Sequence, residues 1–124
     1  MRIDDPGFSV WLDDRFIIQV RTRTAWTVEI ADRYWACFQP FLDASRAQWG
    51  HARVLVDRRG TPIMPITMVQ VMRDGIMAFY RPGDRLALVV DSSPLKMQVR
   101  QNYQLPNIDA FLSYDAALAW LENS

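Results

Sequence analysis

Two short apolar runs constrain the fold of this chain more than any other feature of its sequence. Residues 54–56 and 86–90 are apolar at successive positions, and a turn-forming segment follows each run. Apolar side chains at consecutive positions indicate strands covered on both faces, as in the centre of a parallel sheet. Between the runs, apolar residues recur at helical spacing: Met68, Val69, Met72, Ile76 and Phe79. A strand, a helix and a parallel strand form a crossover unit, which is expected to be right-handed.

The sequence before this unit predicts a hairpin and then a long helix. Apolar and polar residues alternate over residues 8–12 and 16–20, which is typical of two antiparallel strands joined by a short turn. From Thr24 or Thr27 to about Trp49 the apolar residues fall three or four apart, which predicts a helix. Thr27 is suited to be its N-cap and Gly50 to end it. Pro40 lies inside the stretch, so we expect a kink there or two helices that meet.

The sequence after the unit predicts two further helices and one more strand. Ser93 and the proline that follows it suit the N-cap and first turn of a helix, which we expect to end at Leu105–Pro106. A short strand over residues 108–112 comes next. The last helix is expected to be capped by Ser113 or Asp115.

The element order is therefore β-β-α-β-α-β-α-β-α, which predicts an α/β sandwich over residues 1–124. The sheet is expected to be mixed but mostly parallel, to contain about five strands and to be flanked by helices. A chain of 124 residues is long enough for one domain and too short for two domains with separate cores. We therefore expect a single domain.

Opposite charges balance in this sequence. Its 14 Lys and Arg residues equal its 14 Asp and Glu residues, so the formal net charge is zero. This balance argues against nucleic acid or an anionic membrane surface as a partner, and it does not oppose a homodimer. No stretch is long and apolar enough to span a membrane, and the N-terminus lacks the apolar core of a secretion signal. The sequence thus predicts a cytoplasmic protein.

Residue types that carry catalysis or bind metals are scarce. Cys37 is the sole cysteine and His51 the sole histidine, which excludes an intramolecular disulfide and a Cys/His metal set. Nothing near Cys37 in the sequence would lower the pKa of its thiol, and His51 lies at a predicted turn. We therefore expect no enzyme activity, no metal site and no cofactor.

The order of elements resembles that of STAS-like proteins. This group includes the anti-sigma-factor antagonists of bacterial sporulation, and the closer likeness is to its small stand-alone, SpoIIAA-like members. Residues 53–57, 86–93 and 111–121 carry the likeness, which extends over about residues 8 to 122. The resemblance implies a non-enzymatic bacterial regulatory module that acts through contact with a protein partner or with its own copy.

The resemblance also implies a site of modification. Members of the group carry a phosphorylated Ser or Thr where the helix after the first buried strand begins, and Thr67 lies near this position. The Asp before the phosphorylated residue and the Gly after it are absent here. Phosphate at this place opposes docking of the partner by its charge and bulk. The alternative is that Thr67 is simply the N-cap of that helix.

Polar and basic residues follow the two buried strands. Ligands of open α/β sheets bind outside the carboxyl ends of parallel strands, and Arg58, Arg59, Thr61, Ser92 and Ser93 fall there. Two helix N-termini and an arginine would suit an anion. The alternative is a solvated loop whose residues cap helices and form turns.

Met68 and Met72 lie one helical turn apart between the two buried strands. Methionine side chains adapt to apolar ligands and partner helices, and the same spacing is expected of a core face. Some relatives of this architecture are suspected of holding lipid-like ligands. Two functions therefore stay open: a regulatory module that docks a partner near Thr67, and a carrier of a small apolar or amphipathic, lipid-like ligand held between the helices and the sheet.

Overall fold

The computed structural model describes residues 1–105 and 107–123, which form six strands and four helices. The strands are β1 (Arg2–Asp4), β2 (Phe8–Leu12), β3 (Ile18–Thr22), β4 (Arg53–Asp57), β5 (Arg85–Val89) and β6 (Ile108–Phe111). The helices are α1 (Val28–Trp49), α2 (Ile66–Phe79), α3 (Ser93–Asn102) and α4 (Tyr114–Glu122).

The strands lie side by side in the order of the chain, from β1 to β6. The pairs β1–β2 and β2–β3 are antiparallel, and every pair from β3 to β6 is parallel. In this register Val54 of β4 lies between Ile18 of β3 and Leu86 of β5. The predicted α/β class, the hairpin and the parallel neighbours β4 and β5 are confirmed.

The sheet contains one strand more than the sequence predicts. The additional strand β1 consists of three exposed residues with no apolar face, and it pairs with β2 through Ile3 opposite Val10. So short and exposed a segment has no alternating pattern that could indicate a strand.

Helix α1 is continuous from end to end. Its N-cap is Thr27, whose Oγ1 accepts the backbone N–H three residues further on at 3.3 Å, and it ends at Gly50 with a left-handed φ of 79°. It also continues through Pro40, so the expectation of two separate helices is wrong. Phe38 and Phe41 on either side of Pro40 are buried, and this packing offsets the backbone hydrogen bond that proline cannot donate.

Helix α2 begins two residues earlier than an N-cap at Thr67 requires. Its first residue is Ile66, which follows Pro65, and no side chain caps this end. Thr67 therefore lies within the first turn, and its prediction as the N-cap is wrong.

The caps of α3 and α4 differ from the sequence prediction by one residue at most. Ser92, not Ser93, caps α3, since its Oγ accepts the backbone N–H of Leu95 at 3.4 Å. Ser113 caps α4 in the same way, with Ala116 as the donor at 3.2 Å. Helix α3 ends at Asn102, and the predicted end at Leu105–Pro106 includes Pro106, which lies outside the described residues.

The two faces of the sheet are covered by different helices. Helices α1, α2 and α3 pack on one face, which we call the front, and α4 packs on the other, the back. Three right-handed crossovers that advance in one direction along a sheet place their helices on the same face. In the part of the chain that the structure describes, no helix combines the length and apolar character needed to cross a membrane.

Candidate functional site

Successive side chains of β4 point to opposite faces of the sheet, as in any strand. Val54 and Val56 pack at the front, whereas Leu55 packs at the back. The alternation continues into the loop after β4. Arg58 therefore lies at the front beneath the helices, and Arg59 lies at the back beside Asp57 and Tyr114.

A pocket opens at the front between the sheet and helices α1 and α2. It contains about 530 Å³ of atom-free space, its open mouth included. Apolar and aromatic side chains make up most of its wall. The lining residues are Val20, Thr22, Trp26, Tyr34, Trp35, Val56, Arg58, Met64, Met72, Ile76, Tyr80, Leu86, Leu88 and Tyr103.

Arg58 brings a positive charge to this apolar wall. Its Nε is buried and has no hydrogen-bond partner among the described residues, and its Nη2 donates to the carbonyl oxygen of Pro62 at 3.3 Å. Burial lowers the pKa of Arg58 from its ordinary value, and the neighbouring Tyr103 partly opposes this shift. The guanidinium remains charged at neutral pH because arginine is deprotonated only at very high pH.

A second recess adjoins the pocket at Arg58. It contains about 300 Å³ of atom-free space, open mouth included, and shares Thr22, Trp26, Arg58 and Met64 with the main pocket. Thr61 contributes a hydroxyl to its wall. The apolar pocket therefore leads past one cation into a more polar mouth.

Hydrogen bonds fix the loop that carries Arg58. The backbone N–H of Arg58 donates to the carbonyl oxygen of Val89 at 2.8 Å, and the hydroxyl of Thr61 donates to the carbonyl oxygen of Arg58 at 2.7 Å. The N–H of Gly60 donates to Oδ2 of Asp91 at 2.8 Å. Gly60 has a φ of 84°, which glycine adopts without strain. The loop thus holds Arg58 at the pocket by backbone contacts to β5 and the residues after it.

The wall between α1 and α2 depends on a close approach at Gly75. Trp35 of α1 stacks on Phe79 of α2 with 5.1 Å between ring centroids. A Cβ atom added to Gly75 would lie 2.1 Å from Cε2 of Trp35. Only glycine therefore permits this packing of α2 on the indole ring.

Three tyrosines, Tyr34, Tyr80 and Tyr103, are among the residues that line the pocket. Burial raises the pKa of Tyr34 and Tyr80 far above the ordinary value of 10.0. It also raises the pKa of Tyr103, which the positive charge of Arg58 partly opposes. All three hydroxyls are therefore neutral at physiological pH and able to donate a hydrogen bond.

The structure brings together some of the residues predicted from the sequence. Arg58 and Met72 line the main pocket, and Thr61 lines its mouth. Met68 is buried, with 6% of its surface exposed, which leaves little of it available to a partner. Thr67 is exposed on α2.

The remaining predicted residues lie elsewhere. Arg59 is at the back of the sheet, where its Nε and Nη2 donate to the carboxylate of Asp57 at 3.0 and 2.8 Å. Ser92 accepts the capping bond of α3, and Ser93 is exposed in the first turn of that helix. None of these predicted residues is among those that line the pocket.

Sequence reasoning missed the aromatic side of the site. The sequence predicts Tyr34 and Trp35 as part of the apolar stripe of a helix, and it contains no signal that this stripe borders a cavity. Trp26 precedes α1, and Met64 lies in the loop before α2. Neither has a periodic pattern around it, so no sequence rule assigns them to a common site.

A solved structure from Shewanella loihica PV-4 is similar to this chain over nearly its whole length. The TM-score is 0.69, the sequence identity is 16%, and 98% of each chain is covered. That protein is described as an uncharacterized member of the DUF3478 family with a SpoIIAA-like fold. The fold of the present chain is SpoIIAA-like.

The SpoIIAA-like fold confirms the resemblance that the sequence predicts. An identity of 16% supports a common fold and no more specific likeness. No family model matches this chain, and no curated protein matches it. Among the described residues, no group of three or more His, Cys, Asp or Glu residues is placed to hold a metal ion. Evidence on function within this SpoIIAA-like fold therefore comes from the pocket.

Proposed function

We propose that this chain is a non-enzymatic binding protein that carries a small apolar or amphipathic molecule in the pocket between α1, α2 and the sheet. The pocket itself supports this proposal, because its apolar and aromatic wall opens to the surface beside Arg58. Apolar surface removed from water there favours binding by about 25 cal/mol per Å². Pockets of this kind, with few polar groups in an apolar wall, are typical of small-molecule sites.

The neutral dye N-phenyl-1-naphthylamine tests this function, since its fluorescence rises in an apolar environment. We expect the wild-type protein to bind the dye. The substitution Met72→Trp places a larger ring in the pocket, because Met72 lies in its wall. It should weaken dye binding by about tenfold or more, which corresponds to the loss of one well-buried group.

Met77 provides a matched control on the same helix. Its side chain is 64% exposed and does not line the pocket, so Met77→Trp should leave the affinity for the dye unchanged. Equal dye binding by the Met72→Trp and wild-type proteins would contradict the proposal, as would a lack of dye binding by the wild type. Native mass spectrometry of freshly purified protein should in addition reveal a small co-purifying molecule.

A regulatory role through contact with a protein partner is the second candidate. It is favoured by exposed apolar side chains next to Thr67, since Ile63 and Ile66 are 57% and 62% exposed. A phosphate on Thr67 would place negative charge beside this apolar surface and oppose docking. A cytoplasmic location and a homodimer likewise stay predictions of the sequence.

Sedimentation and mass spectrometry test this second candidate. If copies of the chain associate through this surface, Ile66→Asp should convert a dimer into a monomer. A peptide that contains Thr67 should gain the mass of one phosphate after incubation with a kinase-bearing lysate. A monomeric wild type with an unmodified Thr67 would leave the regulatory role without support.

A further inference from the structure

The charge of Arg58 has no counterion in the described structure. No carboxylate of residues 1–105 and 107–123 forms an ion pair with its guanidinium. The acidic residues nearest in sequence have other contacts. Asp57 pairs with Arg59 at 2.8 Å and with Arg21 at 4.0 Å, and Asp91 accepts the N–H of Gly60.

Aromatic rings do not replace the missing counterion. In the described part of the chain, the arginines that lie over a ring are Arg2, Arg53 and Arg85, and Arg58 is not among them. Nη2 of Arg58 donates to the carbonyl oxygen of Pro62 at 3.3 Å, which is long for such a bond. The Nε–H therefore remains a buried donor without an acceptor.

Arg58 is half-buried, and its Nε–H is a buried donor that lacks an acceptor. A buried donor without an acceptor is costly, and an anionic ligand would supply the acceptor. The Nε–H and an adjacent Nη–H of arginine form a planar fork that matches two oxygens of a carboxylate or phosphate. Arg58 lies where the apolar pocket meets its more polar mouth, so a head group that pairs with it leaves the rest of the ligand in the pocket.

We propose that the ligand of this pocket is an amphipathic anion whose carboxylate or phosphate head pairs with Arg58. Its apolar body lies against Val20, Trp35, Met72 and Leu88, which line the pocket beyond Arg58. This inference rests on the proposed binding function and adds to it the charge of the ligand. It also assigns distinct roles to two consecutive arginines: Arg58 binds the head group, and Arg59 remains paired with Asp57 at the back of the sheet.

Three probes with the same ten-carbon chain test the inference by calorimetric titration at neutral pH. They are decanoate, decyl phosphate and decan-1-ol, which differ in the head group. We expect at least one anion to bind the wild-type protein about tenfold or more tightly than the alcohol, as is typical of a buried hydrogen bond to a charged group. Preference for decanoate or for decyl phosphate identifies the head group.

The substitution Arg58→Met removes the charge and keeps an unbranched apolar side chain. It should abolish the preference for the anion and leave the affinity for decan-1-ol equal or higher. Arg59→Met is the matched control, since Arg59 lies on the opposite face, and it should keep the wild-type preference. Circular dichroism checks that both variants are folded, and Arg58→Lys should retain part of the preference because it keeps the charge.

The outcomes separate this inference from the binding function. If all three probes bind the wild type equally well, the pocket binds apolar molecules and the assignment of an anionic ligand is wrong. The assignment is also wrong if the preference survives in Arg58→Met. If no probe binds, both the inference and the binding function are overturned.

Discussion

The carboxylate of Asp84 joins several elements of the fold just before β5. Oδ2 accepts from Nη2 of Arg46 at 2.6 Å and from the N–H of Arg81 at 2.8 Å, and Oδ1 accepts from the N–H of Ala52 at 2.7 Å. The same Nη2 of Arg46 donates to the carbonyl oxygen of Phe79 at 2.9 Å. The side chains of Arg46 and Asp84 are 10% and 2% exposed. One buried ion pair thus connects α1, the end of α2 and the starts of β4 and β5.

Substitution of Asp84 by Asn should lower the free energy of unfolding by about 3 kcal/mol at pH 7, because it leaves Arg46 buried without a counterion. Burial opposes ionisation of Asp84, but hydrogen bonds from Arg46, Ala52 and Arg81 outweigh it, so the pKa lies below the ordinary value of 3.8. A carboxyl with a lowered folded-state pKa stabilises the protein above its unfolded-state pKa. This stabilisation is lost as the pH falls through the folded-state value.

Urea unfolding at several pH values checks this prediction. The difference between the wild-type and Asp84→Asn proteins should be constant at neutral pH and should shrink below about pH 4. A difference of the same size at neutral and strongly acidic pH would show that the loss does not come from the charge of Asp84.

The positions of Arg58 and Arg59 on opposite faces of the sheet could have been predicted in part. Val54 and Val56 share a face of β4, and the same alternation assigns Arg58 to that face and Arg59 to the other. When the two arginines are assigned to one loop site, the opposite faces on which they lie are overlooked. The lack of a counterion could not have been predicted, because it depends on where Asp57 and Asp91 point in the folded chain.

Helix α2 packs chiefly against helix α1. Gly75 lies at their closest approach, against the indole ring of Trp35. Two effects oppose each other at this position. Alanine favours a helix over glycine by about 1 kcal/mol, whereas steric overlap in a packed interior costs about 1–3 kcal/mol.

We expect the overlap to dominate in the substitution Gly75→Ala, because the added Cβ meets the rigid ring of Trp35 at 2.1 Å. The variant should lose about 1 kcal/mol of unfolding free energy and bind N-phenyl-1-naphthylamine more weakly, since α2 must move away from α1. Urea unfolding and dye titration measure the two effects.

The double variant Trp35→Phe with Gly75→Ala should recover part of the stability. A Gly75→Ala variant more stable than the wild type would contradict this account of the α1–α2 contact.

The bounds of the helices show where sequence patterns are reliable. Thr27 and Gly50 bound α1 as predicted because their capping interactions are local. Pro40 does not divide α1, because buried aromatic side chains pack around it. This packing is a tertiary interaction, which rules based on neighbouring residues in the sequence do not include. The single-residue difference between Ser92 and Ser93 has a simple reason: both serines precede the proline, and either can accept a capping hydrogen bond.

Across the sheet, the order of the strands follows their order in the chain. The hairpin starts the sheet, and each crossover adds one parallel strand at the same edge. Periodicity predicts most of this arrangement because each element is amphipathic or fully apolar at its own spacing. The pocket could not have been predicted in the same way. It depends on how closely α1 and α2 approach the sheet, which is fixed by side chains distant in sequence.

The alternation of β4 also limits the changes of length that this molecule can tolerate. If one residue were deleted between positions 53 and 57, every later side chain of the strand would exchange faces. Arg59 would then face the pocket, and Arg58 would move to the back of the sheet. Such an indel would invert the chemistry of the site with no change in the identity of either arginine. The length of β4 therefore determines which of the two arginines faces the pocket.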